Sequence, residues 1–555
     1  MVESIQIIFA PIQNNAMIKR SRKRIILLLL FFIISVILVL MYPMASSGFR
    51  METDDEALRD KFEFLRTTNY NQDTTSPNII LITVDDLGMA DCSLYGEGDI
   101  STPHIERLGA EGIVFDNAYV TSPVCAPSRA AMITGRYQHR FGFEFTMHER
   151  YLKNQLEYLA FKYLVNSEPW VAKWTNSVPD ANAIHNQGLP LSEITLAEIL
   201  KKHGYNTGIM GKWHLGWSTE KQPAAFGFDK QYGFFNSHSL YSPEGTDGII
   251  DQKIEADWTD PYIWSGQRNG PHAIYRNGIE IKEKGYLTDR ITDESIDYME
   301  EHKENPFFLW ISYSAPHTPL QAPREYVDQF SDIEDPVKRV YHAMISNLDD
   351  NIGRLIEYLA DQNLVEKSII FFISDNGGAE YTHTTDNGRY EGGKNTEFEG
   401  GVKVPMIIRL PGRMAAGSRF PHMVSSLDIF ATSIASAGIE MMPGRELDGV
   451  NLVPFLVGEN KMPPHEYLFW QRGISKVIRN NEFKLVMNEY SGIEILYDLK
   501  QNKYENPDVA SSNAEVVNEL KMAFQGWTQS HKSPMWPSVI YYTVEKDGVK
   551  YYYEQ

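Results

Sequence analysis

Two pairs of oxygen-bearing residues, Asp85-Asp86 and Asp375-Asn376, each close an apolar run: NIILITVDD (residues 78–86) and SIIFFISDNGG (residues 368–378). Brought to one sheet edge, they offer four hard oxygen ligands of the kind Ca²⁺ or Mg²⁺ takes. Either pair alone would serve equally well to cap a helix or close a turn. Cys125 adds a different chemistry. In TSPVCAPSRAAMITGRY (residues 121–137) it lies two positions before Pro127, which suits the first turn of a helix because the ring removes no hydrogen bond there. The thiol therefore sits at a helix N-terminus, a natural anion site, with Arg129 in the same first turn and able to reach the same spot. The other thiol, Cys92, reads as structural.

The elements that must position these groups alternate along the chain. A third apolar run, PFFLWISYSAPH (residues 306–317), has the same grammar as the two above, that of a buried parallel strand. TLAEILKKHGY (residues 195–205) predicts a helix with a Thr195/Glu198 capping box and Gly204 as its stop. YHAMISNLDDNIGRLIEYLA (residues 341–360) predicts a long amphipathic helix through Met344, Leu348, Ile352, Leu355 and Leu359. Strands alternating with helices give an α/β fold with a mostly parallel sheet covered on both faces, whose ligands bind beyond the carboxyl ends of the strands. After about residue 440 the pattern changes to hairpins, one turning at Asn480-Asn481 and one at Asp547-Gly548, with a helix over EVVNELKMAF (residues 515–524). This predicts a smaller antiparallel α+β subdomain over 441–555, after a main domain over 77–440.

The 555 residues, 43% hydrophobic and 12% aromatic, are a globular composition with enough chain for one large domain and a companion. A net charge of −21 and a pI near 5.2 exclude nucleic acid as a partner, since phosphate-backbone binding needs a basic face. Any anionic ligand must meet a local cationic pocket. The N-terminus departs from the rest: KRSRKR (residues 19–24) precedes the uncharged run IILLLLFFIISVILVLMY (residues 25–42). Positive charges followed by apolar residues direct a chain out of the cytoplasm. A cleaved signal peptide is favoured over a single-pass anchor, with PMASSG (residues 43–48) supplying small residues for cleavage. Met17 makes residues 1–16 readable as an upstream-start extension, and the polar residues 49–76 read as a linker. Two cysteines leave little room for disulfides in an exported chain, so the core must hold the fold.

The stretch C-A-P-S-R, residues 125–129, downstream of a V-D-D strand, resembles the maturation signature of type I sulfatases, in which that cysteine is oxidised to formylglycine. Three further stretches match the same family in order: GKWHLG with Lys212 and His214, SAPHTPLQAP with His317, and GGKNTEFEGGVKVP with Lys394. The resemblance covers residues 77–440, and LYDLKQNKYENP resembles the family's C-terminal part. It implies an alkaline-phosphatase-like sheet and an extracytoplasmic sulfuric ester hydrolase, secreted, periplasmic or lysosomal. It also implies maturation by a formylglycine-generating enzyme. Asp85, Asp86, Asp375 and Asn376 would hold Ca²⁺, or Mg²⁺, together with the formylglycine from Cys125. Arg129 would orient that group, Lys212 and Lys394 would grip the sulfate, His317 would protonate the leaving alcohol, and His214 would act as the base that breaks down the sulfated intermediate.

The motifs look most like the arylsulfatase B-like, N-acetylgalactosamine-4-sulfatase-like branch, so the expected substrate is a sulfated carbohydrate or aryl sulfate. Residues 144–187, rich in aromatics, are an added segment in which Trp170 or Trp174 could stack on a sugar, although packing explains them as well. His139, Arg140, His383 and Arg389 are equally readable as sugar contacts or structural residues. The alternatives are a phosphodiester or phosphonate hydrolase on the same sheet, and a catalytically silent glycan-binding protein.

Overall fold

The computed structural model describes residues 14–44, 54–67, 76–96, 98–255, 257, 259–385, 387–410, 412, 416–442 and 444–555. Most of residues 1–16, and residues 45–48 of the expected cleavage stretch, lie outside them.

A large sheet organises the protein. Its strands, numbered in chain order, are β1 (Asn78–Asp85), β2 (Ile113–Tyr119), β3 (Asn206–Lys212), β4 (Lys230–Phe234), β5 (Ile274–Arg276), β6 (Ile279–Ile281), β7 (Phe307–Pro316), β8 (Ser368–Ser374), β9 (Met406–Arg409) and β10 (Ser418–Ser425). They lie in the order β10-β2-β9-β8-β1-β7-β3-β4-β5-β6. The centre, β8-β1-β7-β3-β4, is parallel throughout, with β1 registered Ile79 to Ile369 on one side and to Phe308 on the other. β9, β5 and β6 run antiparallel to their neighbours, while the edge strand β10 pairs in parallel with β2, so the sheet is mixed around a parallel centre.

The two-residue period of β1 explains why helices cover both faces. Ile79 and Leu81 enter one core with the helices Cys125–Thr134, Leu196–Lys202 and Asp428–Ser436. Ile80, Ile82 and Val84 enter the other with Pro103–Glu111, Leu287–His302 and Pro336–Asp361. The Thr195/Glu198 capping box forms as expected. Beyond residue 460, strands Leu468–Arg472, Ser475–Arg479, Phe483–Asn488 and Ile493–Asp498 make an antiparallel sheet. Ile478, Leu485 and Leu496 of this sheet pack on Val517, Leu520 and Phe524 of the helix Ala514–Thr528.

Two features depart from the expectations. The final hairpin, Ile540–Lys546 with Val549–Glu554, takes as its third strand Trp170–Ala172 from the added segment, so the C-terminal part is interlaced with the main one. The segment expected as a linker contains a helix, Asp55–Thr67, whose Lys61 is buried. The Lys61 ammonium donates to the carbonyls of Leu191 and Glu193 at 2.8 and 2.7 Å and pairs with Glu198 at 2.7 Å. A buried ammonium needs such a set of acceptors, and the polar composition of the segment concealed it.

At the N-terminus the helix Asn14–Leu40 contains the one stretch among the described residues, Lys19–Leu40, long and apolar enough to cross a membrane, with a mean hydropathy of 2.8 over 18 of its residues, none of them buried within the protein.

Candidate active site

The chemistry-bearing residues gather at the carboxyl edge of the parallel strands. Asp85 ends β1 and Asp86 follows it. Lys212 ends β3, with His214 two residues on. His317 follows β7, and Asp375 and Asn376 follow β8. Cys125 is the first residue of the helix Cys125–Thr134, after Val124 in extended backbone, and every residue of that helix is buried. Lys394 comes from the loop ahead of the short helix Glu399–Val402.

Contacts draw them into one cluster. The Cys125 thiol lies 3.2 Å from Asp85 Oδ1 and 3.8 Å from Asp86 Oδ1. Lys212 Nζ donates to Asp85 Oδ2 at 2.5 Å, and Lys394 Nζ to Asp86 Oδ2 at 2.8 Å. Asn376 Nδ2 donates to Asp86 Oδ1 at 2.7 Å. Arg129 is fully buried: Nε donates to Asp375 Oδ2 at 2.6 Å, and Nη1 to Ser312 Oγ at 2.6 Å and to the Lys212 carbonyl at 3.1 Å. His317 Nε2 stands 3.7 Å from Asp86 Oδ2 while Nδ1 is held at 2.5 Å by the Thr318 carbonyl, which leaves Nε2 as the ring nitrogen facing the cluster.

The electrostatics follow from packing three carboxylates and three cations out of water. Burial works against ionisation of Asp86, but Lys394, with His317 and Lys212, outweighs it and holds the carboxyl at about 2. Asp375 is pushed up to about 6 by burial and then by Asp85, against the pull of Arg129 and Lys212. Burial, followed by the Asp375 and Asp85 carboxylates, raises the Cys125 thiol well above its usual range. His317 is lowered to about 3 by burial and by Lys394, and His214 is lowered well below the usual imidazole value by burial, Lys212 and Arg129. Both histidines are therefore neutral in this field.

Several buried polar atoms here have no hydrogen-bond partner among the described residues: Asn376 Oδ1, Arg129 Nη2 and both ring nitrogens of His214. A buried polar atom without a partner calls for a physical explanation, and a group bound at the site would supply one. Asp86 and His214 also hold φ of 65° and 55°, left-handed backbone that a non-glycine residue adopts only when its surroundings enforce it.

Reasoning from sequence missed His238 and Tyr381. His238 is buried, its Nε2 has no partner among the described residues, and its ring lies 4.2 Å from that of His272. The Lys212 and Lys394 charges reach it, adding to burial and His272 in lowering it well below the usual value. Tyr381 is raised by burial and also feels Lys394 and Asp86. Neither belongs to a motif, and the available signal was position, in loops following β4 and β8 at the same sheet edge.

Of the residues readable either as sugar contacts or as structural ones, His139 and Arg140 are engaged with protein groups. His139 is buried against Trp527 and His531, with Nε2 at 2.7 Å from the Gln471 carbonyl. Arg140 forms a fork on Asp448 at 2.7 and 2.6 Å. Arg389 is exposed and lies over the Tyr504 ring, and His383 is exposed in a left-handed turn. Trp170 packs edge-on to Tyr381 and Tyr542, and Trp174 to Tyr158, so their contacts here are with protein rings.

The family profile described as Sulfatase matches residues 77–439, which is more than half of the sequence. The chain belongs to the sulfatase family. A second profile, N-sulphoglucosamine sulphohydrolase, C-terminal, matches residues 392–530. Human N-acetylgalactosamine-6-sulfatase is 32% identical over 402 residues, covering 72% of this chain and 68% of that protein. Bovine arylsulfatase A is 30% identical over 490 residues, covering 80% and 86%. The solved structure of Ps i-CgsB in complex with k-i-k-neocarrahexaose superposes with a TM-score of 0.70 at 31% identity, covering 83% of this sulfatase and 94% of that chain. The sulfatase is thus a sulfuric ester hydrolase. The comparisons carry the family and not the arylsulfatase B-like branch.

Proposed function

We propose that this sulfatase removes sulfate from a carbohydrate, of the N-acetylgalactosamine or galactose sulfate type, using a formylglycine made from Cys125 and a divalent cation. The observation that carries the reading is the state of Cys125. It is a buried free thiol at the first position of a buried helix, 3.2 Å from Asp85 Oδ1 and 3.8 Å from Asp86 Oδ1, a placement that suits a precursor of the group the cluster would serve. Its Sγ then stands where the hydroxyl oxygens of the hydrated aldehyde would be. Such a hydrate would supply one hydroxyl as the nucleophile towards sulfur and a second whose loss of a proton would let sulfate depart.

Asp85, Asp86, Asp375 and Asn376 fit a hard cation: three carboxylates crowd together, burial and then Asp85 push Asp375 upwards, and Asn376 Oδ1 lacks a partner among the described residues. A bound Ca²⁺, with Mg²⁺ as the alternative, would supply charge that acidifies the attacking hydroxyl. Lys212 and Lys394, buried and cationic, bind sulfate oxygens and draw charge from the transition state. Arg129 fixes Asp375 and the start of the helix that carries residue 125. A sulfate group beside His317 adds the negative charge that raises its imidazole pKa and prepares Nε2 to protonate the leaving alcohol. His214, neutral and with free ring nitrogens among the described residues, takes the proton that releases sulfate.

The substrate class draws support from the names of the relatives, an N-acetylgalactosamine-6-sulfatase and a protein solved with a neocarrahexaose. We place the catalytic part at 77–440, the C-terminal part at 441–555, and the protein outside the cytoplasm, delivered by residues 1–48.

Co-expression with a formylglycine-generating enzyme, followed by mass analysis of the peptide containing residue 125, tests the reading. An aldehyde mass together with release of sulfate from sulfated galactosides is the expected result. A free thiol with full activity would overturn it, and preferential cleavage of phosphodiesters would transfer the site to the phosphoesterase reading.

A further inference from the structure

The added segment 144–187 carries an apolar surface that the active site does not use. Within it, Asn154 caps the short helix Gln155–Ala160 by accepting from the Glu157 N–H at 2.9 Å. The helix then widens into a π-turn, Phe161–Val165, closed by the Asn166 N–H on the Phe161 carbonyl at 2.9 Å. The wider turn carries Tyr163, Leu164 and Val165 outwards, where Tyr163 is 69% exposed and Leu164 83%. Three consecutive large apolar side chains, each more than half exposed, are uncommon on a soluble surface, and such patches mark binding faces.

What lies beside the patch identifies its occupant. The Met44 N–H donates to the Lys153 carbonyl at 2.8 Å, and Pro43 forms an antiparallel bridge with Asn154. The foot of the apolar helix Lys19–Leu40 is therefore fastened to the residue that begins the exposed segment. Met41 and Tyr42, between the two, are also exposed. Lys162 lies over the rings of Tyr158 and Tyr163 at 5.9 and 5.3 Å. Tyrosine, aliphatic residues and lysine side by side at the exit of a span make up the composition of a bilayer interface, where rings sit at headgroup level and lysine stems reach back to water.

We propose that residues 155–165 seat the catalytic domain on a lipid bilayer next to the N-terminal helix, with Tyr163, Leu164 and Val165 entering the boundary between headgroups and acyl chains. This rests on reading Lys19–Leu40 as a retained membrane span. The seat fixes the orientation of the domain as well as its tether, because the same added segment continues to Trp170, which packs on Tyr381 beside the active site.

The test uses the full chain reconstituted in phosphatidylcholine vesicles containing nitroxide-labelled lipid. A bimane fluorophore is placed by Leu164→Cys, the native Cys92 and Cys125 being buried, and by Leu30→Cys within the helix or Ile279→Cys on the exposed edge strand β6 as references. The expected result is lipid quenching several-fold stronger at 164 than at 279, with aqueous iodide quenching only 279. Iodide quenching at 164 while the label at 30 is quenched by lipid would overturn the seat and keep the span. Lipid quenching at 164 with none at 30 would keep the seat and remove the span. Shielding of 164 from both quenchers would place a second copy or another protein on the patch and overturn the proposal.

Discussion

Replacing Arg129 with Ala is expected to destabilise the sulfatase much more than replacing it with Lys, and the difference isolates what the guanidinium does. Arg129 makes three buried contacts, on Asp375, Ser312 and the Lys212 carbonyl. The Ser312 hydroxyl also donates to that carbonyl at 2.6 Å, so these two groups keep a partner when the arginine is lost. Asp375 would keep only the Asp86 N–H at 3.4 Å and would remain buried beside Asp85 and Asp86 with its ion pair removed, a change that costs about 3–5 kcal/mol. Lysine keeps the charge and loses the fork, at about 1–2 kcal/mol for two modest hydrogen bonds. The expected gap is about 2 kcal/mol. With a urea slope on the order of 3 kcal/mol/M it separates the midpoints by about 0.7 M. Urea unfolding followed by tryptophan fluorescence, with divalent cations chelated, measures it. Saturating Ca²⁺ should narrow the gap, because a cation also compensates Asp375. Coincident midpoints for the two variants in chelator would refute the view that charge compensation, rather than packing, is the structural role of Arg129.

Two further outcomes follow from the electrostatics. His139 is lowered to about 3 by burial and by His531. Since its folded pKa lies below the unfolded value of about 6.5, its contribution is complete above pH 6.5 and is lost as pH falls towards 3. This gives a slope of about 1.4 kcal/mol per pH unit in that window. His139→Phe should flatten the fall of the melting temperature between pH 6.5 and 4, and an unchanged slope would exonerate His139. Adding Ca²⁺ to the chelated protein should raise stability by about 2.7 kcal/mol at a hundred times its dissociation constant, and Asp85→Asn should remove most of that gain. A flat thermal-shift titration with both Ca²⁺ and Mg²⁺ would eliminate the cation.

The part of the site that was legible in sequence is the part encoded by neighbours in the chain. An apolar run ending in acids announces a buried strand delivering carboxylates to its carboxyl edge, and Asp85, Asp86 and Asp375 lie there. Pro127 announces a helix start, and the helix begins at Cys125. Lys212, His317 and Lys394 became visible only through the family resemblance, since nothing in the spacing of a strand end and two loops roughly a hundred residues apart tells which residues will meet. The same limit explains why His139 and Arg140 are readable in sequence either as sugar contacts or as structural residues. Their partners Trp527, His531, Gln471 and Asp448 come from the far end of the chain, as does the last hairpin that pairs with Trp170–Ala172. Asp86 and His214 carry a constraint that no motif could express. Both are held in left-handed backbone at the ends of parallel strands, a conformation maintained by the packed sheet beneath them. The scaffold therefore aims the Asp86 carboxylate at Lys394 and Asn376 and leaves the His214 ring nitrogens without a partner among the described residues, so the site is organised before substrate arrives.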